Sequence, residues 1–306
     1  MDLGVAFVAV TWGVNHAVIK RSIETLEPMV FNGIRLGVGS LVLLFVEWLS
    51  ERDLRIEKRD ALTVIAIGLL GHTAYQLSYI AGVNTTTAGK TAVIAALSPT
   101  LVAIIERLAG TSLYTARGWI GILSSLCGVA LITLSGGTGI LGDRSFGGEP
   151  LVLISTLCWA GYTVAARSLL EKYSTLKVTS LTMSAGAIPI VALSIPAFAR
   201  QDWGSVDGPA WMGLAFSCCF AIVIGYVLWS WGIQRIGSGR TAIYSNLSPL
   251  AGSLAGWLAL GETWTPAQLV GAVLVLSGVT QVRSGTRGRD GSGFTPTGRK
   301  AKGDAQ

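Results

Sequence analysis

A chain of 306 residues that is 51% hydrophobic and only 13% charged carries about half the charge of an average soluble domain. Its charges gather in short clusters between apolar runs of roughly 17–25 residues, the length of a helix that crosses a bilayer core. That spacing excludes a soluble bundle, and it makes the net charge of +6 a topology signal rather than a sign of nucleic-acid binding.

Ten such runs are predicted in chain order. The first covers residues 3–19 and ends at Lys20 and Arg21. It shows no small-residue cleavage site, so it reads as a retained helix. The second, 28–48, leads into a charged loop at 51–60, and the third is 61–83. The fourth, 88–108, carries Lys90 and Glu106 near its ends, and the fifth is 118–135. After a glycine-rich loop come 150–166, 178–199, 209–233, 239–260 and 266–282. Thr265, Pro266 and Gln268 spell a capping box with proline at the first helical position, marking the start of the tenth. Residues 284–306 are rich in Gly, Arg and Lys without apolar periodicity, which predicts a disordered basic cytoplasmic tail.

With the N-terminus in the cytoplasm, seventeen Lys and Arg fall on the inner side and five on the outer side, while Arg35 alone lies inside a span. That bias predicts a multi-pass protein of the inner cell membrane with both termini cytoplasmic. Cys127, Cys158, Cys218 and Cys219 all lie within spans and lack metal-ligand spacing, so they are expected to be buried apolar thiols.

The chain also repeats itself. At a constant shift of 150 residues, Gly82, Gly89, Thr91, Ala92, Leu97, Ser98 and Pro99 meet Gly232, Gly239, Thr241, Ala242, Leu247, Ser248 and Pro249. Lys90 meets Arg240, and Gly121 and Gly128 meet Gly271 and Gly278. Each unit holds five predicted helices, an odd number, so the second must enter the membrane from the opposite side. The expected architecture is an all-α membrane protein of ten transmembrane helices in two inverted five-helix repeats, residues 3–135 and 150–282. Secondary transporters are often built this way.

Several stretches carry a resemblance. They are TWGVNHAVIK, FNGIRLG and YQLSYIAGVNTTTAGKTAVIAALSPT in the first half, and CWAGYTVAAR and RTAIYSNLSPLAGSLAGWLALGETWTPAQLVG in the second. The chain resembles the drug/metabolite transporter superfamily, as a tandem of EamA domains. It departs from the pattern at Gly110–Thr115, where GTSLYT stands opposite GETWT, and in the seventh span, which has no basic residue to answer Arg35. The resemblance implies an inner-membrane carrier, not an enzyme, that moves amino acids, other metabolites or drugs, often outward. It implies no cofactor. The residues agree in lacking a GxxxxGK[ST] loop and a Cys/His cluster. A lipid-handling protein (a scramblase or membrane enzyme) and a nonselective channel remain alternatives. A proton or other coupling ion, membrane lipids and a second copy of the chain are the further partners left open.

Polar groups inside hydrocarbon are costly unless they face the bundle interior, which makes each one a candidate for the transport path. Arg35 reads either as an anion contact or as a side chain that snorkels to the interface. His72, Tyr75 and Gln76 share one helix face by i, i+3, i+4 spacing, with Tyr79 extending it, either as a cavity wall or as interhelical hydrogen bonding. Trp12, Asn15 and His16 form a similar face, answered by Trp159 and Tyr162 in the sixth span; aromatic interface anchors are the other reading. Tyr226 is a candidate in the eighth span, where Trp229 and Trp231 read as belt residues. Tyr244 and Asn246 supply polarity in the ninth, where the first half has Ile94 and Ala96. Pro99 and Pro249 each remove a backbone hydrogen bond and predict kinks or hinges. Lys90 and Arg240 are candidate gates or headgroup contacts. Glu106 and Glu262 read as interfacial charges or proton sites. No metal site is expected.

Overall fold

The computed structural model describes residues 2–52, 54–85, 91, 94–135, 148–251 and 265–288. Helices α1 (Asp2–Ser22) and α2 (Pro28–Glu51) are followed by α3 (Lys58–Gly68), which runs through a π-helical stretch, Leu69–Ala74, into α4 (Tyr75–Asn84). Next come α5 (Ser98–Leu108), a short strand β1 (Ser112–Tyr114) and α6 (Ala116–Ser135). Helices α7 (Glu149–Leu170) and α8 (Thr175–Arg200) precede α9 (Gly208–Phe216), which passes through a second π-helical stretch, Ser217–Ile224, into α10 (Gly225–Ile236). Helix α11 (Ser238–Ala242), a 3-10 turn at Ile243–Asn246, α12 (Pro266–Gly285) and strand β2 (Thr286–Gly288) complete the described chain.

The fold is therefore helical, apart from one three-residue ladder in which Ser112 pairs with Gly288 and Tyr114 with Thr286. That ladder and the end of α12 take up the first residues of the predicted tail; residues 289–306 lie outside the described residues. Among the described residues, five helical segments are long and apolar enough to cross a membrane: Pro28–Glu51, Lys58–Gly82, Glu149–Leu170, Thr175–Arg200 and Gly208–Ile236. Leu3–Asn15, Ala116–Leu131 and Pro266–Val282 are shorter apolar stretches.

Local chemistry sets the helix starts. Ser174 Oγ accepts from the Lys177 amide, and Asp207 Oδ1 accepts from the Ala210 amide at 3.0 Å. The Thr265 box forms in both directions, with Thr265 N donating to Gln268 Oε1 at 2.8 Å and Gln268 N to Thr265 Oγ1 at 3.2 Å. Pro99 and Pro249 act at breaks, whereas Pro189 and Pro196 lie inside α8. Pro99 opens α5 after a turn at Ala96 and Leu97, and Pro249 follows the 3-10 turn.

The outer surface is apolar. Leu41, Leu62, Ile188, Met212 and Val273 are all exposed, as side chains facing lipid would be. Cys127 and Cys219 are exposed too, and of the four cysteines only Cys218 is buried, which corrects the sequence expectation. A thiol is apolar enough to sit against hydrocarbon on either side of a helix.

Inside, glycines let backbones meet. On α2, Gly33 abuts Ser194 and Gly37 abuts Val191 of α8, as their GxxxG spacing anticipates. Gly68 and Gly186 meet where α3 crosses α8. Helices α6 and α12 run antiparallel, with Gly121 against Gly278 and Gly128 against Gly271, and Ser124 Oγ donates to the Leu274 carbonyl at 3.2 Å. Gly252 and Gly256 lie outside the described residues.

Polar contacts tie early and late segments at both ends of the bundle. At one end Arg21 pairs with Asp207 and Glu24, and the Glu27 amide donates to Gln201 Oε1 at 2.8 Å. At the other, Lys172 Nζ and Tyr173 OH each donate to Asp60 at 2.8 Å.

Two stability predictions follow from these contacts. A Cβ built on Gly128 would lie 2.8 Å from the Val275 nitrogen and 2.9 Å from its Cγ2. Gly128→Val should therefore destabilise the purified protein by about 1–3 kcal/mol. Gly208→Ala, whose Cβ meets nothing within 4 Å, should leave the thermal midpoint unchanged. The Ala210 amide, then Arg21, hold the Asp207 carboxyl below the usual range. A carboxyl with a depressed folded pKa stabilises above its unfolded value of about 4, and that stability is lost as pH falls through the folded pKa. Asp207→Asn should lower the thermal midpoint near neutrality, and the gap from the parent should close below about pH 4.

Candidate functional site

Each π-helical stretch packs inside the bundle, the first against α7 and α8 and the second against α1 and α2. A π-helical turn widens the helix and redirects side chains, and such turns often mark functional sites. His72 sits in the first stretch and Ser217 opens the second.

Arg35 projects inward from α2 and is 3% exposed. Its Nε donates to Asn32 Oδ1 at 2.8 Å, Nη1 to Ser217 Oγ at 3.2 Å and Nη2 to Gln76 Oε1 at 2.9 Å. The Phe31 ring lies 5.3 Å from the guanidinium carbon. Among the described residues no carboxylate is within ion-pair distance of it. The snorkelling alternative therefore falls, because three neutral oxygens from three elements turn the side chain into the bundle. Asn32 and Ser217 were not singled out from sequence. Both look like ordinary small polar residues of a span, and only the packing of the second π-helical stretch on α2 brings them together.

Aromatic rings surround this group. Trp159 is the hub, with ring centroids 5.2 Å from Trp12, 5.2 Å from Trp229, 5.4 Å from Tyr75 and 5.6 Å from Tyr226. Trp12 is anchored by its indole N–H, which donates to the Ala221 carbonyl at 3.0 Å in the second π-helical stretch. Tyr75 stacks on Tyr79 at 5.8 Å. His72 is fully buried, 5.0 Å from the rings of both Tyr162 and Tyr226, and neither of its nitrogens has a hydrogen-bond partner. Trp229 is not a belt residue. It is fully buried, because Trp12 of α1 and Trp159 of α7 pack on its ring and its indole N–H donates to Thr163 Oγ1 at 3.4 Å.

Other candidates fall elsewhere. Asn15 is buried with its side-chain oxygen unpartnered. Tyr244 belongs to the same apolar core, while Asn246 turns to α6 and donates to Ser125 Oγ at 2.9 Å. Lys90, Glu262 and the His16 side chain lie outside the described residues. Arg240 lies on α11 within electrostatic reach of Tyr114. Glu106 is not an ordinary interfacial charge. It is 1% exposed and accepts from Ser238 Oγ at 2.7 Å, the Gly239 amide at 3.2 Å and Tyr114 OH at 2.7 Å. The ladder that carries Tyr114 and the start of α11 close over it.

His72 yields a prediction. A buried polar group without partners destabilises the fold, and an apolar group of the same shape relieves that penalty. His72→Phe should stabilise the purified protein by about 1 kcal/mol in thermal unfolding while reducing solute flux in vesicles. Loss of both stability and flux would mean that the imidazole serves packing alone.

Known proteins fit this geometry. The EamA-like transporter family matches residues 1–134 and again residues 146–283. The chain is 28% identical over 248 residues to the "Uncharacterized transporter YyaM" of Bacillus subtilis (strain 168), covering 81% of this chain and 80% of that protein. It is 26% identical to the "Uncharacterized inner membrane transporter YicL" of Salmonella typhimurium, covering 94% and 96%. With the same organism's "Probable amino-acid metabolite efflux pump" it shares 24% identity over 89% and 91%. A solved crystal structure of a protein superposes with a TM-score of 0.74 at 19% identity, over 90% of this chain and 94% of that one, and so shares the fold. These relatives are named as transporters rather than enzymes. Two family matches spanning nearly the whole sequence, on a bundle of helices long and apolar enough to cross a bilayer, make this chain a multi-pass membrane protein of the EamA-like transporter family.

Proposed function

We propose that the chain is a secondary transporter that moves small organic solutes across the inner membrane, outward, by alternating access between two inverted five-helix repeats. The observation that carries the reading is Arg35, a buried cation at the bundle centre that hydrogen-bonds only to neutral oxygens. A charge in that position is expensive to keep, and membrane proteins retain such groups where a substrate or ion meets them.

The repeat supports the mechanism. Positions 150 apart converge on the site: Trp12 and Tyr162, Gln76 and Tyr226, Tyr79 and Trp229. The π-helical stretches Leu69–Ala74 and Ser217–Ile224 overlap under the same shift. Ser124 and Leu274, also 150 apart, touch each other between α6 and α12, while Gly121 and Gly128 meet the repeat partners of one another. An approximate two-fold axis in the membrane plane produces such contacts, and the inverted repeats of secondary transporters are related by one. Residues 3–135 and 150–282 are then the two repeats, with ten crossings and both termini in the cytoplasm. The export direction rests on the name of the Salmonella relative.

At both bundle ends, contacts join one repeat to the other. Arg21–Asp207 and Glu27–Gln201 close one end, and Asp60–Lys172 closes the other, as do the contacts of Glu106 with Ser238 and Gly239. Alternating access requires one set to open while the other holds. The test is a pair of reversible locks in a chain whose four cysteines are replaced by alanine. Thr25→Cys with Gln201→Cys locks one end, and Asp60→Cys with Lys172→Cys the other. Either crosslink should abolish solute counterflow in proteoliposomes, and reduction should restore it. Full flux through a crosslinked protein would refute alternating access.

A further inference from the structure

The charge pattern of the site narrows the solute. An arginine has five N–H donors, two on each terminal nitrogen and one on Nε. Arg35 spends one from each nitrogen on Asn32, Ser217 and Gln76, so Nη1 and Nη2 each keep one N–H without a partner. A guanidinium that keeps an N–H on each terminal nitrogen can donate charge-assisted hydrogen bonds to a carboxylate. The Tyr226, Tyr75 and Tyr79 hydroxyls lie within electrostatic reach of the same guanidinium. Behind them stand Trp159 and Trp12, whose rings pack edge-on against Tyr226, with Trp159 tilted against Tyr75, and make the surroundings aromatic and apolar.

A missing group matters equally. A zwitterionic amino acid brings an ammonium that needs a carboxylate or a set of acceptors. Among the described residues no carboxylate is hydrogen-bonded to His72, Tyr75, Tyr162 or Tyr226. The buried carboxylates among the described residues are engaged elsewhere: Glu106 beneath α11, Asp60 with Lys172 and Tyr173 at one end of the bundle, and Glu47, about 18 Å along α2 from Arg35, with Ser180 of α8. Aromatic rings alone would also suit an organic cation. Arg35 opposes that, because two like charges in a low-dielectric interior repel strongly. His72, with both nitrogens unpartnered, can donate to or accept from an oxygen on the solute.

Taking the transport reading as its basis, we infer that the preferred solute is an aromatic monocarboxylate without an ammonium group. Its carboxylate sits on Arg35 and its ring lies among Trp12, Trp159 and Tyr226. Zwitterionic amino acids of the same shape are poorer solutes, and the corresponding amines are excluded.

The experiment compares four molecules of one shape on the purified full chain: 3-phenylpropionate, 3-phenylpropionamide, phenylalanine and 3-phenylpropylamine. Binding is read by calorimetry and by quenching of tryptophan fluorescence, and flux by counterflow in proteoliposomes. The acid should bind saturably. The amide, having lost the charged hydrogen bonds, should bind about 10- to 100-fold more weakly. Phenylalanine should fall below the acid, and the amine should show no saturable binding. Arg35→Gln should level acid and amide, and Arg35→Lys should restore part of the preference. Should the Arg35 variants fail to fold, the ligand series on the native chain decides alone. Equal or tighter binding of the amide, phenylalanine or the amine would overturn the inference; saturable flux of any of them would leave the transport reading intact. Failure of all four to bind overturns the inference as well, while the crosslinking experiment still judges transport.

Discussion

The close approach of helix backbones is the constraint on which everything else in this bundle rests. Lipid is as apolar as leucine, so helices gain nothing by hiding apolar side chains from it and must be held by van der Waals contact and hydrogen bonds. Glycine makes such contact available. Gly71 leaves the space that the Tyr162 ring fills, and Gly225 leaves the space for the Trp12 indole nitrogen, 2.9 Å from where its Cβ would stand. With side chains at those two positions, the central rings would be driven apart and His72 would lose its enclosure. The aromatic cluster is thus a consequence of backbone packing as much as of aromatic composition.

The buried charges fall into two kinds. Glu106 has three donors around it and joins α5 to the start of α11. That arrangement is structural and complete. Arg35 has three acceptors, all neutral, and a full positive charge in the least polar part of the molecule. Neutral dipoles hold a cation less well than an anion does, which leaves the centre electrostatically incomplete. A site that is finished only when a solute arrives gains affinity from the same deficit that costs the empty protein stability.

The bundle ends are of another character. Arg21 and Asp207 are both about a third or more exposed, and Lys172 is nearly half exposed where it meets Asp60. Exposed ion pairs contribute about 0–1 kcal/mol each. An exposed contact of that strength, such as Arg21–Asp207, can open without a large free-energy step, as the proposed alternating access requires. The interior contacts among glycines, which resist deformation, would move as rigid groups while the ends exchange.

Much of this molecule could be read from residues alone, because the bilayer imposes strong one-dimensional rules. Apolar runs of membrane length, the capping box at Thr265 and the packing of Gly33 and Gly37 follow from spacing along the chain, and the family is legible as a resemblance in its motifs. Arg35, His72, Tyr75, Gln76, Trp12 and Trp159 are also legible as candidates, since a polar or aromatic group in a span is rare enough to be noticed. Tertiary structure decided what those candidates do. It turned Arg35 inward, because Gln76 and Ser217 converge on it from two other elements that no sequence spacing relates, beside Asn32 one turn away on its own helix. It moved Trp229 from an expected membrane interface into the buried aromatic cluster, because Trp12 and Trp159 reach its ring from α1 and α7. It buried Glu106, because the β1–β2 ladder and α11 fold over a position that looks exposed in one dimension. Periodicity reports the face a residue occupies on its own helix; only packing reports which other helix that face meets.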